Sequence, residues 1–499
     1  MILLNFLHFY QPASQQKDIL QAVVEQCYRP VFIKLAKLTK ASITININGS
    51  LLELLDKFGY RDLLADLRTS VESGDVEITG SCKYHSLLPL IPEEEAIRQI
   101  KNNEETLRKY LGQTIKIKGF FPPEMAIDKK SMKIIEKLGY EWVIVDEISN
   151  SDGFLDGTTE NIYSEKETHL KTLFRVRRVS NLIMSAVVRN EESLREAIKT
   201  DLSKDGYLVT GMDGETFGHH RVGYEKMLFE ILDSTEIASS TISNYLDSHS
   251  QKKTKEVEIK ACTWASSPQD ISDGMQFASW KDEKNEIHKL QWALLNLSLS
   301  IINKYKNDSK EYELARQKMD RALASDQYFW ASGKPWWSLE MIEDGAYMLL
   351  DVVRTTPGST DEEKQKASEL YEKILSLSFN WQRSGKIREM AREQSQVLRI
   401  PFKDRTLGAG GAEPAVYNAF IDMINKQEKK AVENREYEKA LLWRDALYKI
   451  DIKNDIYDTI NAIDLLRAEI GNEEVEKVIQ KYKQEYLVIR GGQPEQRGR

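Results

Sequence analysis

Cysteine is nearly missing from this 499-residue chain. Cys27, Cys82 and Cys262 are odd in number and far apart, which excludes a disulfide framework and a cysteine-built zinc site. The compartment expected from this is the reducing cytoplasm. Long hydrophobic runs are lacking too: no stretch of about 18 apolar residues occurs. Residues Met1 to His8 show no basic segment leading into an apolar one, so neither a membrane span nor an export signal is expected. There is no surplus of positive charge. Lys plus Arg number 70 against 78 Asp plus Glu, a net charge of −8, which disfavours a general nucleic-acid binder. Glycine (26) and proline (12) are scarce, leaving little room for long disordered tracts.

What is present suits a protein with a substantial core, 41% hydrophobic and 30% charged. At roughly 100–200 residues per domain, the length allows several domains or one large barrel with an appendage. Two periodicities divide the chain. Up to about residue 285, short β-rich runs alternate with helical stretches. The runs are Ile2–Phe9, Ser42–Asn48, Val76–Ser81, Ile115–Phe121, Trp142–Asp146, Leu182–Val188 and Tyr207–Asp213, with Val257–Thr263 as an eighth candidate. Several are apolar almost throughout, as strands buried on both faces are. Between them lie helical segments such as Asp128–Leu138, which Asp128 is suited to cap. Repeated βα units predict a parallel sheet closed into a barrel. From residue 286 to about 485, apolar residues recur at helical spacing in His288–Asn303, Glu311–Ala324 and Glu362–Leu377, which predicts a helical domain. Breaks are expected near Gly333-Lys-Pro335, Pro357-Gly358 and Gly408 to Pro414, and residues 486–499 read as a frayed tail.

In a parallel βα barrel the reactive groups gather at the carboxyl ends of the strands. Reading each run to its end gives His8, Tyr10 and Gln11, then His85, Glu124, Asp146 with Glu147, and Asp213 with Glu215. Glu124 follows Phe121-Pro-Pro, where two prolines stiffen the approach to the carboxylate. Such a support suits a fixed nucleophile; a surface glutamate ahead of a helix is the ordinary alternative. Asp213 and Glu215 lie in Thr210-Gly-Met-Asp213-Gly-Glu215-Thr-Phe-Gly218-His-His220, too polar for a core, although Asp-Gly is also a common turn. Two carboxylates from different strands of one barrel point to glycoside hydrolysis or transfer, one as nucleophile and one as proton donor. A cluster of tryptophans, Trp264, Trp280, Trp292, Trp330, Trp336 and Trp337, falls at the junction of the two regions. Indoles stack on the CH faces of sugars, and they also fill domain interfaces. Asp326, in Ala324-Ser-Asp326-Gln-Tyr-Phe-Trp330, is a candidate sugar contact.

These motifs, taken together and in order, resemble glycoside hydrolase family 57, the α-glucan-acting amylases, 4-α-glucanotransferases and branching enzymes. His8-Phe-Tyr-Gln11-Pro12 is similar to the family's first motif, and Gly74-Asp-Val-Glu77-Ile-Thr-Gly80-Ser, running on to His85 and Pro89, to the second. Phe121-Pro-Pro-Glu124 resembles the third, Met212-Asp213-Gly-Glu215-Thr-Phe-Gly218 the fourth, and Ala324 to Trp330 the fifth. The resemblance covers roughly residues 1–345. It implies an α/β fold, an incomplete (β/α)7 barrel followed by a C-terminal α-helical bundle that closes over the cleft. It also implies a retaining mechanism that needs no metal or other cofactor, with Glu124 as nucleophile and Asp213 as acid/base. His8, Gln11, His85, Phe121, Glu215, Trp264, Asp326 and Trp330 would shape the sugar subsites, and an α-glucan would be the partner. Three positions depart from the pattern. Tyr10 stands where a substrate-binding His is usual, Phe121 replaces a common Trp, and Ser86 follows His85 where a Pro is frequent.

Two other classes fit parts of the chain. A metal-dependent polysaccharide deacetylase or mannosidase on a related barrel could draw on His8, His85, His219 and His220 with Asp213, although the His pair lacks a His-x3-His spacing. A non-catalytic glucan-binding protein is supported by the departures at Tyr10 and Phe121 and opposed by both carboxylates. A smaller resemblance, in Asn434-Arg-Glu-Tyr-Glu-Lys-Ala440-Leu-Leu-Trp-Arg444-Asp445, is to the UVR-type helical hairpin of excision-repair proteins. It implies a weak protein contact through helix 434–450, against the alternative of an ordinary amphipathic helix.

Overall fold

The computed structural model describes residues 1–390 except 39, 40, 156, 187, 253 and 335, then 414–452 and a few positions between 466 and 481. Its strands are β1 (Ile2–Phe9), β2 (Ile43–Ile47), β3 (Val76–Ile78), β4 (Gly119–Phe120), β5 (Trp142–Asp146), β6 (Ile162–Glu165), β7 (Lys171–Arg175), β8 (Tyr207–Asp213) and β9 (Thr254–Val257). Seven run parallel in the order β3-β2-β1-β8-β7-β5-β4. The remaining seam, between β3 and β4, is nearly closed by a single bridge: Gly80 N–H donates to the Gly119 carbonyl at 2.8 Å, and Phe121 N–H to the Gly80 carbonyl at 2.9 Å. A Cβ at Gly119 would collide with the Trp142 ring on the neighbouring strand, so the closing strand needs glycine there.

The two-residue period of the strands explains what reaches the barrel interior. On β1, Leu3, Leu7 and Phe9 pack outward against helices, whereas Leu4 and Phe6 join the inner cluster, and His8 follows them inward. On β8, Tyr207 and Val209 are inner and Leu208 and Met212 outer, which turns Asp213 inward opposite His8. On β5 and β7, Ile144 and Leu173 are inner, so Asp146 and Arg175, which pair in register, also end their strands facing in.

Three expected strands differ. Leu182–Val188 is not a strand: helix Arg177–Met184 occupies its first part and buries Val179, Leu182 and Ile183 at helical spacing. The strand is β7, whose charged ends, Lys171 and Arg175, mask a short apolar centre. Only Gly119–Phe120 of the run Ile115–Phe121 pairs. The eighth run contributes no barrel strand: β9 pairs with β6 outside the barrel, and Ile259 and Cys262 make single antiparallel bridges to Asn150 and Ile127.

Beyond the barrel, helices Glu286–Lys304, Lys310–Ala322, Leu339–Thr355 and Asp361–Ser384 form a bundle whose core is continuous with the outer face of the barrel. Its first helix is capped by Asn285, whose side chain accepts from Ile287 N–H at 2.9 Å and His288 N–H at 3.1 Å. Helices Pro414–Glu433 and Tyr437–Ile452 pack on one another around Phe420, Met423, Ile424 and Trp443, leaving Tyr437, Leu441 and Tyr448 exposed. Residues 408–413 and the tail 486–499 lie outside the described residues. Among the described residues no helix is long and apolar enough to cross a membrane.

Candidate active site

Glu124 follows Pro122 and Pro123 in a tight turn, and it takes φ 59°, ψ 16°. Met125 is left-handed as well, at φ 48°. Two successive non-glycine residues in this sparsely occupied region are held only if their surroundings over-determine them. Trp264 does much of that: its backbone N–H donates to the Glu124 carbonyl at 3.0 Å and its indole Nε1 to Glu124 Oε2 at 2.7 Å. The other carboxylate oxygen, Oε1, lies 3.9 Å from His85 Nε2.

Burial and the nearby Asp213 charge push Glu124 up to about 8, against the lowering pull of the Trp264 indole. Asp213 is raised to about 6 by burial, and the Arg175 charge opposes the rise. The Asp213 charge is thus among the causes that raise Glu124, and the two carboxyls titrate as coupled groups.

Around the pair lies a wall of neutral imidazoles. His8 Nδ1 donates to Asn46 Oδ1 at 2.8 Å, and Asn46 is oriented by its own donation to Thr79 at 3.1 Å. His8 Nε2 lies 3.2 Å from His85 Nε2. Burial lowers His8 to about 4 and His85 well below its usual value, so both rings are uncharged at neutral pH. Tyr10 stacks on His85 with centroids 4.2 Å apart, and its hydroxyl donates to Asp326 Oδ2 at 2.7 Å. His85 Nδ1 also meets Ser325 Oγ at 3.2 Å. The helical region therefore reaches the strand ends through Ser325 and Asp326, as Ser14–Asp344 and Gln16–Glu340 contacts do further out. Burial raises Asp326 to about 6.

Glu215 is a third carboxyl of the site, and it is buried. Its Oε1 accepts from Tyr28 OH at 2.5 Å and from Tyr10 N–H at 3.2 Å, and burial, then the Asp213 charge, raises it to about 8. Tyr28 comes from a π-turn, Val24–Tyr28, inserted between helices Lys17–Val23 and Arg29–Leu35. Gln11 is half-buried beside the Tyr28 hydroxyl.

Other expected residues lie elsewhere or act differently. Phe121 is fully buried beneath His8 and Trp264, with centroids at 4.6 and 5.9 Å, so it supports the site and offers no face to a ligand. Asp146 is consumed by Arg175 and Arg177, and Glu147 by the backbone N–H groups of Arg177 and Leu155 at 2.7 and 2.9 Å. The tryptophan wall is smaller than the sequence suggests. Trp280 and Trp292 are packing residues, the first buried and the second stacked 4.4 Å from Tyr328. Trp337 stacks on Trp381, whereas Trp330 stands edge-on to Trp336 at 5.6 Å, near Asp326 in sequence. The imidazoles are not gathered into a ligand set: His219 Nδ1 meets Gln26 Oε1 at 2.7 Å, and among the described residues no group of three or more His, Cys, Asp or Glu is placed to hold a metal ion. A hollow of about 430 Å³ lies at the opposite end of the barrel, among Tyr140, His169, Lys171 and Asp247, and borders none of these residues.

Sequence reasoning missed Arg175 and Tyr28. An inward charge closing a strand would have revealed Arg175 had β7 been recognised; Tyr28 carries no spacing signal that ties it to Glu215.

The family model of glycosyl hydrolase family 57 matches residues 4–260. An α-amylase of Pyrococcus horikoshii is 27% identical over 244 residues, 45% of this chain and 36% of that protein. A 4-α-glucanotransferase of Thermococcus litoralis is 26% identical over 262 residues, 49% of this chain and 38% of that protein. The matched stretch thus spans little more than a third of these relatives. Among solved structures, a family 57 branching enzyme of Pyrococcus horikoshii shares the fold with a TM-score of 0.58 at 17% identity, over 74% of this chain and 94% of that one. The Thermococcus litoralis glucanotransferase gives 0.53 at 18% identity, over 70% and 57%.

Proposed function

This chain belongs to glycosyl hydrolase family 57, and from that premise we propose that it is a retaining hydrolase or transglycosylase of α-1,4-linked glucans, with Glu124 as nucleophile and Asp213 as acid/base. The observation that carries this reading is the pair itself. Two half-buried carboxyls, one ending β8 and one just beyond β4, are both raised by desolvation, and one of them is fixed by the Trp264 indole at 2.7 Å.

In the first half-reaction Asp213 protonates the glycosidic oxygen while Glu124 attacks the anomeric carbon, and the departing chain leaves as an alcohol. In the second, Asp213 removes the proton of a water or of an acceptor sugar hydroxyl, which displaces Glu124 and restores the enzyme. His8, Gln11, His85, Glu215, Trp264, Asp326 and Trp330 form the surrounding subsites, with the barrel, residues 1–285, carrying the chemistry and the helical region, 286–485, covering it. The three cysteines are buried and free, which supports a reducing, cytoplasmic setting.

The test is incubation with amylose and maltooligosaccharides, following reducing ends, chain lengths and linkage, with the product anomer read by NMR. Retained configuration is expected, and Asp213→Asn should lower turnover by about 10²–10⁴. Inverted product, or wild-type turnover in Glu124→Gln, would sink the assignment.

A further inference from the structure

Four neighbouring strands, β1, β8, β7 and β5, carry His8, Asp213, Arg175 and Asp146 as their last inward-facing residues. The mechanism above uses the first two. Arg175 is only 3% exposed, and its guanidinium is held from three sides. Nη1 donates to Asp146 Oδ2 at 2.8 Å, Nε to the Gly211 carbonyl at 2.6 Å, and Nη2 to Asn181 Oδ1 at 3.0 Å. Gly211 sits two residues before Asp213 on the same inner face of β8. A Cβ there would lie 3.4 Å from Cγ and Cδ of Arg175 and 3.2 Å from Met125 Cε, so the bare backbone gives the arginine stem its course. On its far side the guanidinium carbon is 6.0 Å from the centre of the Trp264 ring, whose indole holds Glu124. Burying a cation here is expensive compared with an apolar side chain of the same size, and packing alone gives no reason for it.

We propose that Arg175 is a positioning residue for the reaction assigned to Glu124 and Asp213, a fixed positive charge that faces Asp213 and keeps its proton exchangeable. The reaction it serves rests on the reading above; its geometry does not. Around Asp213 stand His8, its uncharged register partner on β1, and Arg175 on β7, whose Nε binds the Gly211 carbonyl two residues before it; the acids whose charge couples to Asp213 are Glu124 and Glu215. Arg175 is the cation among them. Without it, a half-buried carboxyl coupled to two acids holds its proton too firmly to act as a base in the second half-reaction. Asp146 anchors the guanidinium and is itself shared with Arg177, so the arginine stays in place without losing its charge to a single partner.

The experiment is a titration of the Asp213 carboxyl by NMR in the full chain carrying ¹³C-labelled aspartate, with Asp213→Asn assigning the resonance. Arg175→Gln should raise the midpoint by about one pH unit or more. Arg175→Lys keeps the charge and loses the fork, so the midpoint should stay near wild type while kcat falls with little change in KM. Arg175→Gln combined with Asp146→Asn removes the acid that the single variant leaves short of a partner, and it carries the same expectation if the single variant does not fold. An unmoved midpoint in a folded Gln variant overturns the proposal, as does an equal shift in the Lys and Gln variants. On maltooligosaccharides, the acid limb of kcat/KM should move upward with the midpoint. A wild-type protein inactive on every α-glucan would remove the assigned reaction, and the titration would still decide the charge relation.

Discussion

Trp264 holds Glu124 at both ends, accepting none of its charge but donating backbone N–H to its carbonyl at 3.0 Å and indole N–H to its carboxylate at 2.7 Å. The tryptophan comes from the segment after the barrel's last parallel strand, and so a residue well removed in sequence fixes a left-handed glutamate and its side chain together.

Trp264→Phe keeps the backbone bond and most of the ring but deletes the indole donor. A hydrogen bond to an ionised carboxylate contributes about 1.5–3 kcal/mol, so kcat/KM should fall roughly ten- to a hundredfold. That bond favours the charged form of Glu124. Its loss raises the carboxyl further, and the alkaline limb of the pH–rate profile should move to higher pH. A rate loss with an unmoved alkaline limb would assign the indole to packing instead.

The wild-type profile of kcat/KM should itself be a bell. Below about 6 both Glu124 and Asp213 are protonated and no nucleophile is available; above about 8 both are ionised and no proton remains for the leaving oxygen. The limbs belong to the pair, so Asp213→Asn should abolish the alkaline limb for substrates whose leaving group needs no protonation. An activated aryl glycoside measured across pH would check this.

How much of this could be read in advance depended on where charge falls along each strand. Ile2–Phe9 and Tyr207–Asp213 are mostly apolar and carry no charged residue before Asp213, so His8 and Asp213 near their ends were legible directly. Lys171-Thr-Leu-Phe-Arg175 is bounded by charges that neutralise themselves only in three dimensions, Arg175 against Asp146, and no sequence window contains that pairing. Tyr28 meets Glu215 across 187 positions through a π-turn that has no composition signature. For the tryptophans the sequence located the cluster but not its division. Trp264 donates to a carboxylate, while Trp292 donates to the Trp280 carbonyl at 2.9 Å and serves the core.

Tyr10 occupies the position where the family pattern has a histidine, and its hydroxyl ties Asp326 of the helical region to the barrel at 2.7 Å. Tyr10→Phe preserves the stack on His85 and breaks that tie. The bond lowers Asp326, so without it the carboxyl rises above its value of about 6 and becomes neutral near pH 7. If Asp326 contacts the sugar, KM for maltooligosaccharides should rise about tenfold with kcat little changed. Tyr10→His should recover part of the loss. Unchanged KM in Tyr10→Phe would take Asp326 out of the subsites.

Four carboxyls in the cleft, the buried Glu215 and the half-buried Glu124, Asp213 and Asp326, have folded values raised above those of an unfolded chain. The native state therefore binds protons more tightly than the unfolded one. Their contribution to stability is complete below about pH 4 and is lost as pH rises through about 6 for the aspartates and about 8 for the glutamates. Thermal stability should decline from pH 5 to 9 on this account. Glu215→Gln keeps an acceptor for Tyr28 and removes one ionisation, so its Tm at pH 9 should exceed wild type by at least about 2 °C, with little difference at pH 5. Parallel Tm curves at the two pH values would refute the assignment of Glu215 as a strained buried acid.

The helical region is locked to the barrel by a buried ion-pair group that also sets where Ser325 and Asp326 lie. Arg316 forks onto Glu95 of helix Glu93–Leu111 and reaches Asp320 at 3.0 Å, while Arg98 binds Asp320 at 2.7 and 2.8 Å. Side-chain exposures of Glu95, Arg316 and Asp320 are 7%, 7% and 4%, so solvent cannot replace a deleted partner. Arg316→Met should cost about 3–5 kcal/mol, because it leaves Glu95 unpaired in the interior. Replacing the pair together, Glu95→Leu with Arg316→Met, should cost much less, since neither charge is then buried alone. Helix Lys310–Ala322 ends three residues before Ser325, so a loosened bundle should also raise KM before it lowers kcat. Denaturant unfolding of the two variants beside their kinetics decides it: equal destabilisation by the single and double changes would mean that the ion pair is stabilising in its own right and not merely a charge that must not be left alone.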